Sequence, residues 1–317
     1  MNSNVDWQPT ATAGRLRARA HLLTNIRAYF AGHGAMEVET PILSGAGNPD
    51  PEIESIRTDT GSYLRTSPEF ALKRMLAAGS GDIYELGRVF RAGESGRNHA
   101  PEFTMLEWYR TGFDYHQLMD EVAGLVRFCG MGKFDRWKVN RISYRQLFLQ
   151  YLDLDPFNAD SRTLSDAARK SGVDDLELDK RQWLDLLISL VIQPALPATE
   201  MTFVFDFPSD QAALARVRGG TPPVAERFEL YLGSTELANG YQELTGADEQ
   251  KSRFKADNAE RARRGSPIYD IDQRLIAALA HGMPECAGVA LGVDRLLMAI
   301  EGCDALSEVT AFPFSRA

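Results

Sequence analysis

The stretch Gly288-Val289-Ala290-Leu291-Gly292-Val293-Asp294-Arg295 decides the fold. A run of small and apolar residues leads straight into an amphipathic helix, and an arginine stands in the first turn of that helix. Glycines carry no side chain, so a ligand can lie flat against the backbone here. The helix macrodipole disfavours a cation at a helix N-terminus. Arg295 in that place therefore wants an anion, such as a phosphate. Taken alone, the corner also suits ordinary packing, and the segments outward from it have to discriminate.

Residues 82–91 and Glu102–Arg110 read as strands, and the polar, turn-rich segment Ala92–Pro101 joins them, which suggests an antiparallel pair. Period two puts Phe103, Met105, Glu107 and Tyr109 on one face. An acid between aromatics suits either a sheet edge facing water or a ligand-binding face. Residues 227–238 read as a further strand, with Phe228, Leu230 and Leu232 on one side and Arg227, Glu229 and Tyr231 on the other. Glu229, Glu236 and Glu243 recur at steps of seven, with Asn239-Gly240 breaking the pattern between the last two. Such acids suit Mg²⁺, which takes carboxylate oxygens and keeps waters and phosphates. They also suit an organic ammonium, or a solvated acidic strand. Arg91 ends its strand just before the polar loop and is a second arginine whose fork can clamp phosphate. Two arginines, an aromatic for a base and acids for a metal form a kit for nucleotidyl transfer to a carboxylate. That chemistry rests on positioning and electrostatic stabilisation rather than on acid–base groups.

The bulk properties narrow the class. The chain has 317 residues, 44% of them hydrophobic, enough for one large domain or two small ones. Its net charge of −9 argues against a nucleic-acid protein held by phosphate contacts. Cys129, Cys286 and Cys303 lack paired spacing, and the five histidines lack metal-ligand spacing. The N-terminus has no hydrophobic signal core, and the longest apolar run, Leu184 to Ile192, is too short to span a bilayer. A cytoplasmic protein with no membrane partner is expected. Residues 1–13 read as a loose lead, and Leu16, Ala20, Leu23, Ile26 and Phe30 mark a helix that stops at Gly32-His33-Gly34. A short strand spans Ala35–Ile42, and Thr66-Ser67-Pro68-Glu69 opens a helix that runs to Gly79. About 130–200 reads as helical, with Arg181–Gln193 its clearest helix; Met201, Phe203, Phe205 and Phe207 alternate as a strand, and 246–264 is a charged helix. The reading is α+β: a mainly antiparallel sheet flanked by helices, in a single domain over 1–317.

These motifs resemble those of the class II aminoacyl-tRNA synthetases of the lysyl type, across nearly the whole chain. Gly34–Pro41 looks like motif 1, Phe90-Arg91 with Pro101–Glu107 like motif 2, and Gly288–Arg295 like motif 3. Thr66–Glu69 and Glu236–Leu244 look specific to the lysyl branch. Motif 1 begins at residue 34, so the anticodon-reading N-terminal OB-fold of the tRNA-charging members is not expected here. The chain is similar instead to the truncated branch, the elongation factor P–(R)-β-lysine ligases, also in Pro101–Arg110 and Leu237–Gly240.

The resemblance implies that ATP and (R)-β-lysine form an adenylate, and that the β-lysyl group passes to a lysine of elongation factor P, without tRNA. It implies a class II catalytic fold and a homodimer through motif 1. Arg91 would bridge the substrate carboxylate and the α-phosphate, and Phe103 and Arg295 would sandwich adenine, the two arginines being the catalytic pair. His99 would contact the phosphate tail, with Leu237 and Gly292 completing the nucleotide site. Glu229 and Glu236 would hold Mg²⁺. Ser67, Glu69, Glu107, Tyr109, Asn239, Glu243 and Ala290 would form the amino-acid site. Three departures stand out. Arg91-Ala92-Gly93 replaces the usual Arg-Asn-Glu, which leaves Glu94 as the substitute reader of adenine, and Ala100 replaces an asparagine. Ala290 stands where lysyl synthetases have glycine. Two further readings of the same residues are a lysyl-adenylate-forming enzyme with another acceptor and a non-catalytic regulatory paralogue.

Overall fold

A computed structural model describes residues 7–173 and 176–317. Its strands are β1 (Met36–Glu37), β2 (Leu43–Ser44), β3 (Tyr63–Leu64), β4 (Ile83–Phe90), β5 (Glu102–Thr111), β6 (Lys138–Ser143), β7 (Glu200–Pro208), β8 (Val217–Arg218), β9 (Val224–Leu232), β10 (Thr235–Gln242) and β11 (Cys286–Gly292). Its α-helices are α1 (Ala13–Gly32), α2 (Glu69–Ala77), α3 (Tyr115–Gly130), α4 (Tyr144–Leu152), α5 (Ser161–Lys170), α6 (Lys180–Leu187), α7 (Gln193–Ala195), α8 (Ala247–Arg263), α9 (Gln273–His281) and α10 (Val293–Glu301).

One sheet carries the molecule, in the order β1-β4-β5-β11-β10-β9-β7-β6, with β8 on β9. The outermost pairs β1–β4 and β6–β7 are parallel, and the pairs between them are antiparallel. This is the expected α+β class. Alternation along the strands sorts side chains between two faces. Leu106 and Trp108 of β5, Phe228 and Leu230 of β9, and Val289 and Leu291 of β11 pack under α1, α3 and α10 in the main core. On the other face, α2, α8 and α9 pack over Ile83, Tyr109 and Cys286. Helices α4 to α6 pack over Ile142, Val204, Phe207 and Tyr231. A pocket remains between these two groups, over the middle strands.

Several expectations change. Residues 227–238 form a hairpin rather than one strand: β9 turns at Gly233, whose φ of 56° suits glycine, and β10 returns. Glu229 therefore sits on β9 and Glu236 on β10, brought together by pairing and not by their spacing of seven. Asn-Gly is a strong turn signal, yet Asn239-Gly240 lies inside β10. A Cβ on Gly240 would run into the Phe228 ring and stand 2.9 Å from the Gly288 carbonyl, so the glycine serves close packing. The strand expected over Ala35–Ile42 shrinks to Met36–Glu37. The helical region holds an edge strand, β6, and the helix expected over Arg181–Gln193 changes to a π turn after Leu187. In α1 the buried stripe is Leu22, Ile26, Tyr29 and Phe30, while Ala20 is exposed. Residues 1–6 of the expected loose lead lie outside the described residues, but Thr10 bonds back to Ala311 and Ala11 is buried.

Two polar ties fix the segments that flank the pocket. Asp294, in the first turn of α10, accepts from the Thr104 backbone N–H at 2.7 Å and from Arg19 of α1 at 2.6 Å. Arg65 and Glu85 form a buried ion pair at 2.5 Å, and Arg65 also donates to Arg88 and Thr40 carbonyls. Its guanidinium fits because Gly87 has no side chain; a Cβ there would stand 2.5 Å from Nη2. The pair anchors the chain immediately before Thr66-Ser67-Pro68, which leads into α2.

Removing one partner of such a buried pair leaves an uncompensated charge, so Glu85→Gln is expected to lower unfolding free energy by about 3–5 kcal/mol. Urea denaturation with an unchanged m-value measures it. A loss below about 1 kcal/mol would show the pair to be effectively solvated.

Candidate active site

Every site residue singled out from the sequence lines one continuous pocket. The middle strands supply its floor. Phe103, Met105, Glu107 and Tyr109 of β5 share the pocket-facing side, as period two required. So do Gly288, Ala290 and Gly292 of β11 and Asn239 and Tyr241 of β10, with Glu243 one residue beyond the strand. Arg227 and Glu229 of β9 face the same space. A bulge between Glu236 and Ala238 turns Glu236 to the pocket while Leu237 packs into the main core.

At one end stand Arg91, Phe103, His99 and Arg295. The Arg91 guanidinium lies 5.2 Å from the Phe103 ring centroid, a cation–π distance, and reaches Glu94 at 3.4 Å. Arg295 donates to the Glu236 carbonyl at 2.9 Å and lies 3.6 Å from its carboxylate. It also donates to His99 Nε2 at 2.8 Å. Arginine can only donate, so Nε2 is the unprotonated nitrogen of a neutral ring. Burial and then the Arg295 charge push the His99 pKa down, in keeping with that. These cationic and aromatic groups face one space, which suits a nucleotide.

Next to them, Glu229 accepts from Arg227 at 2.5 Å and from the Tyr231 hydroxyl at 2.6 Å. Burial, and then the nearby Glu236, hold its carboxyl above the usual range, with Arg227 acting the other way. Arg227 also donates to Asn239 at 3.2 Å. Among the described residues no group of three or more His, Cys, Asp or Glu gathers as a metal cage. Mg²⁺ needs only one or two carboxylates when phosphates supply other oxygens. Glu229 keeps free lone pairs beside its two donors, and the Glu229–Glu236 repulsion is what a divalent cation relieves. The pair fits that metal.

The other end holds buried carboxylates. Glu107 accepts from Ser67 at 2.6 Å and from Tyr109 at 2.8 Å, and Ser67 in turn receives the Glu69 N–H at 2.9 Å. Glu69 and Glu243 share Lys73, at 2.7 and 2.6 Å. Burial, then Glu69, pushes the Glu107 carboxyl up to about 8. Burial also raises Glu243, to about 7, although Lys73 pulls it down. Gly288 makes room: a Cβ there would stand 2.5 Å from the Glu243 carboxylate and meet the Tyr109 ring. Ala290 pairs across the ladder with Glu107 on one side and Asn239 on the other, so its methyl sits between two pocket groups.

The sequence reading missed Lys73, although its i,i+4 relation to Glu69 on a helix was a visible signal. It also missed Arg181 and Asp185, which α6 brings to the pocket wall. Nothing local in the sequence announces that approach, because tertiary packing of the helical insert makes it.

Carboxyls held up by burial must ionise before they bind an ammonium. Affinity for a lysine-type diamine is therefore expected to rise with pH from about 6 to about 8.5, by up to tenfold per unit for each carboxyl that must ionise, with proton release on binding. Above both raised pKa values the dependence should level off. Calorimetry in buffers of different ionisation enthalpy measures it, and a flat affinity over that range would contradict the burial argument.

Residues 2–316 match the family model described as tRNA synthetases class II (D, K and N). The chain is 47% identical to a Vibrio cholerae protein over 99% of this chain and 100% of that one, and 46% identical to a Yersinia enterocolitica protein over the full length of both. A Salmonella typhi protein is 44% identical, again over both full lengths. All three are named elongation factor P–(R)-β-lysine ligase. With that identity over the whole length, and with the residues of motifs 2 and 3 gathered at one pocket, the chain belongs to the class II synthetase family of the aspartyl, lysyl and asparaginyl type, in the company of its elongation factor P–(R)-β-lysine ligases.

Proposed function

We propose that this protein activates (R)-β-lysine with ATP and transfers the β-lysyl group to a lysine ε-amine of elongation factor P. The observation that carries this reading is a single pocket joining an arginine–aromatic end to an end of buried carboxylates. The first suits a nucleotide and the second an amino acid with two ammonium groups. The names of the full-length relatives supply the acceptor.

In this reading Phe103 and Arg295 hold adenine, and neutral His99, fixed by Arg295, takes the phosphate tail. Glu94, near Arg91, takes the adenine contact that the usual motif 2 acid supplies. Leu237 and Gly292 bound the nucleotide through backbone. Arg91 stabilises the charge that develops on the α-phosphate as the substrate carboxylate attacks. Glu69, Glu107 and Glu243 take the ammonium groups, with Ser67 and Tyr109 orienting Glu107 and Arg227 orienting Asn239. Glu229 and Glu236 would hold Mg²⁺, which supplies charge neutralisation at the phosphates. Attack joins the carboxylate to the α-phosphorus and releases pyrophosphate. The acceptor amine then displaces AMP and loses a proton.

The protein is read as one catalytic unit over the chain, paired with a second copy through motif 1. Met36 within that motif, and Ile42 and Leu43 just after it, leave apolar surface exposed. The acidic balance argues against tRNA as acceptor. Among the described residues no helix is long and apolar enough to cross a membrane, and a cytoplasmic setting fits.

Removing one preorganised donor to a developing charge costs roughly 10²–10³ in rate. Arg91→Ala is accordingly expected to lower β-lysine-dependent pyrophosphate exchange by that factor while the fold stays intact. Near-normal exchange would refute its role. Ala290→Gly removes a methyl beside the amino-acid groups, a change worth roughly 10- to 200-fold in discrimination. The ratio of kcat/KM for (R)-β-lysine over α-lysine should fall, and an unchanged ratio would leave Ala290 structural. Labelled β-lysine offered both acceptors should reach elongation factor P and not tRNA; the reverse would overturn the transfer step.

A further inference from the structure

The roles above leave one charged side chain of the amino-acid end unused. Lys73 projects from the second turn of α2, is 1% exposed, and contacts Glu69 at 2.7 Å and Glu243 at 2.6 Å. It stands behind these two acids and does not line the pocket itself. Its helix is held by Leu72 and Leu76 in the core, so the ammonium has a fixed place. We propose that Lys73 is a positioning residue that bridges Glu69 and Glu243, favours the charged form of Glu243, and sets the pocket's net charge to match an amino acid with two ammonium groups.

Once all are ionised, Glu69, Glu107 and Glu243 bring three negative charges to one space, and Lys73 cancels one. Two remain, against the two ammonium groups of a lysine-type substrate. Without the internal cation, carboxylates crowded in low dielectric take up protons instead. A protonated carboxyl is a poor partner for an ammonium, which can only donate. Burial would push the Lys73 ammonium down, but Glu243 and Glu69 hold it well above its ordinary value, so it stays charged throughout the working range. The groups that face Glu243 are Glu69 and Lys73 from α2, Glu107 and Tyr109 from β5, Tyr241 from β10 and Cys286 from β11. Among these described groups Lys73 is the cation.

The inference rests on the proposed activity and is separable from it. Pyrophosphate exchange with (R)-β-lysine is followed against pH for the unchanged protein, Lys73→Met and Lys73→Arg. The acid limb of kcat/KM reports free-enzyme groups. Loss of an opposite charge at contact distance moves a carboxyl by about 1–3 pH units. In Lys73→Met that limb is expected to move up by this amount, with a rise in the amino-acid KM of about 10-fold or more at neutral pH. The KM for ATP should stay within about twofold, since only the amino-acid end is altered. Lys73→Arg keeps the charge and should follow the unchanged protein's pH profile. A folded Lys73→Met with an unchanged profile and amino-acid KM would overturn the inference. If Lys73→Met does not fold, Lys73→Arg decides: a coincident profile supports the assignment, and an upward displacement overturns it. No exchange in the unchanged protein would sink the proposed activity instead. The same limb would then be read from the pH dependence of lysine binding by calorimetry.

Discussion

Two carboxylates held out of water, with a third, Glu69, beside them, repel each other and cannot all stay charged without cations, and much of this structure is arranged around that constraint. Lys73 answers part of it from within. Ser67 and Tyr109 hold Glu107 by hydrogen bonds. The remainder is left for a ligand. A surface cluster of acids would be screened by water and would discriminate little. Burial makes each unmet charge costly, so the ligand that meets them is favoured and one that fails is rejected.

The sheet makes the burial possible. Antiparallel pairing of β5, β11, β10 and β9 sets Glu107, Ala290, Asn239 and Glu229 side by side, although they come from distant parts of the chain. Alternation sends their neighbours into the core beneath α1, α3 and α10. Packing and site are therefore two faces of the same strands. The corner from β11 to α10 brings Arg295 to the pocket, while Asp294 beside it binds the Thr104 N–H and Arg19. Asp294 takes the place at the helix N-terminus that the macrodipole favours, which leaves Arg295 free to serve the pocket.

Much of this was legible in the sequence. Period two on residues 102–110 put Phe103, Glu107 and Tyr109 on one face, and they share the pocket. The glycine-rich corner placed Arg295 correctly. What failed was the register around 233–243. Asn-Gly carries a turn signal by local propensity, but packing of Gly240 against Phe228 and bonding of Asn239 to Arg227 override it. The true turn at Gly233-Ser234 has no equally strong signature. Lys73 was passed over because a lysine on an amphipathic helix reads as solvated unless the neighbouring acids are known to be buried. Arg181 and Asp185 depend on how α6 docks, and no local pattern encodes that.

The central claim is that buried negative charge selects a substrate with two ammonium groups. The most direct measurement compares kcat/KM in pyrophosphate exchange for (R)-β-lysine and for its analogue with a methyl in place of the terminal ammonium. A site built around polar partners rejects a ligand lacking one by roughly 10⁴–10⁵, since a buried charge is left unmet. A loss of that order is the result this account predicts. Comparable kcat/KM for the two compounds would contradict it.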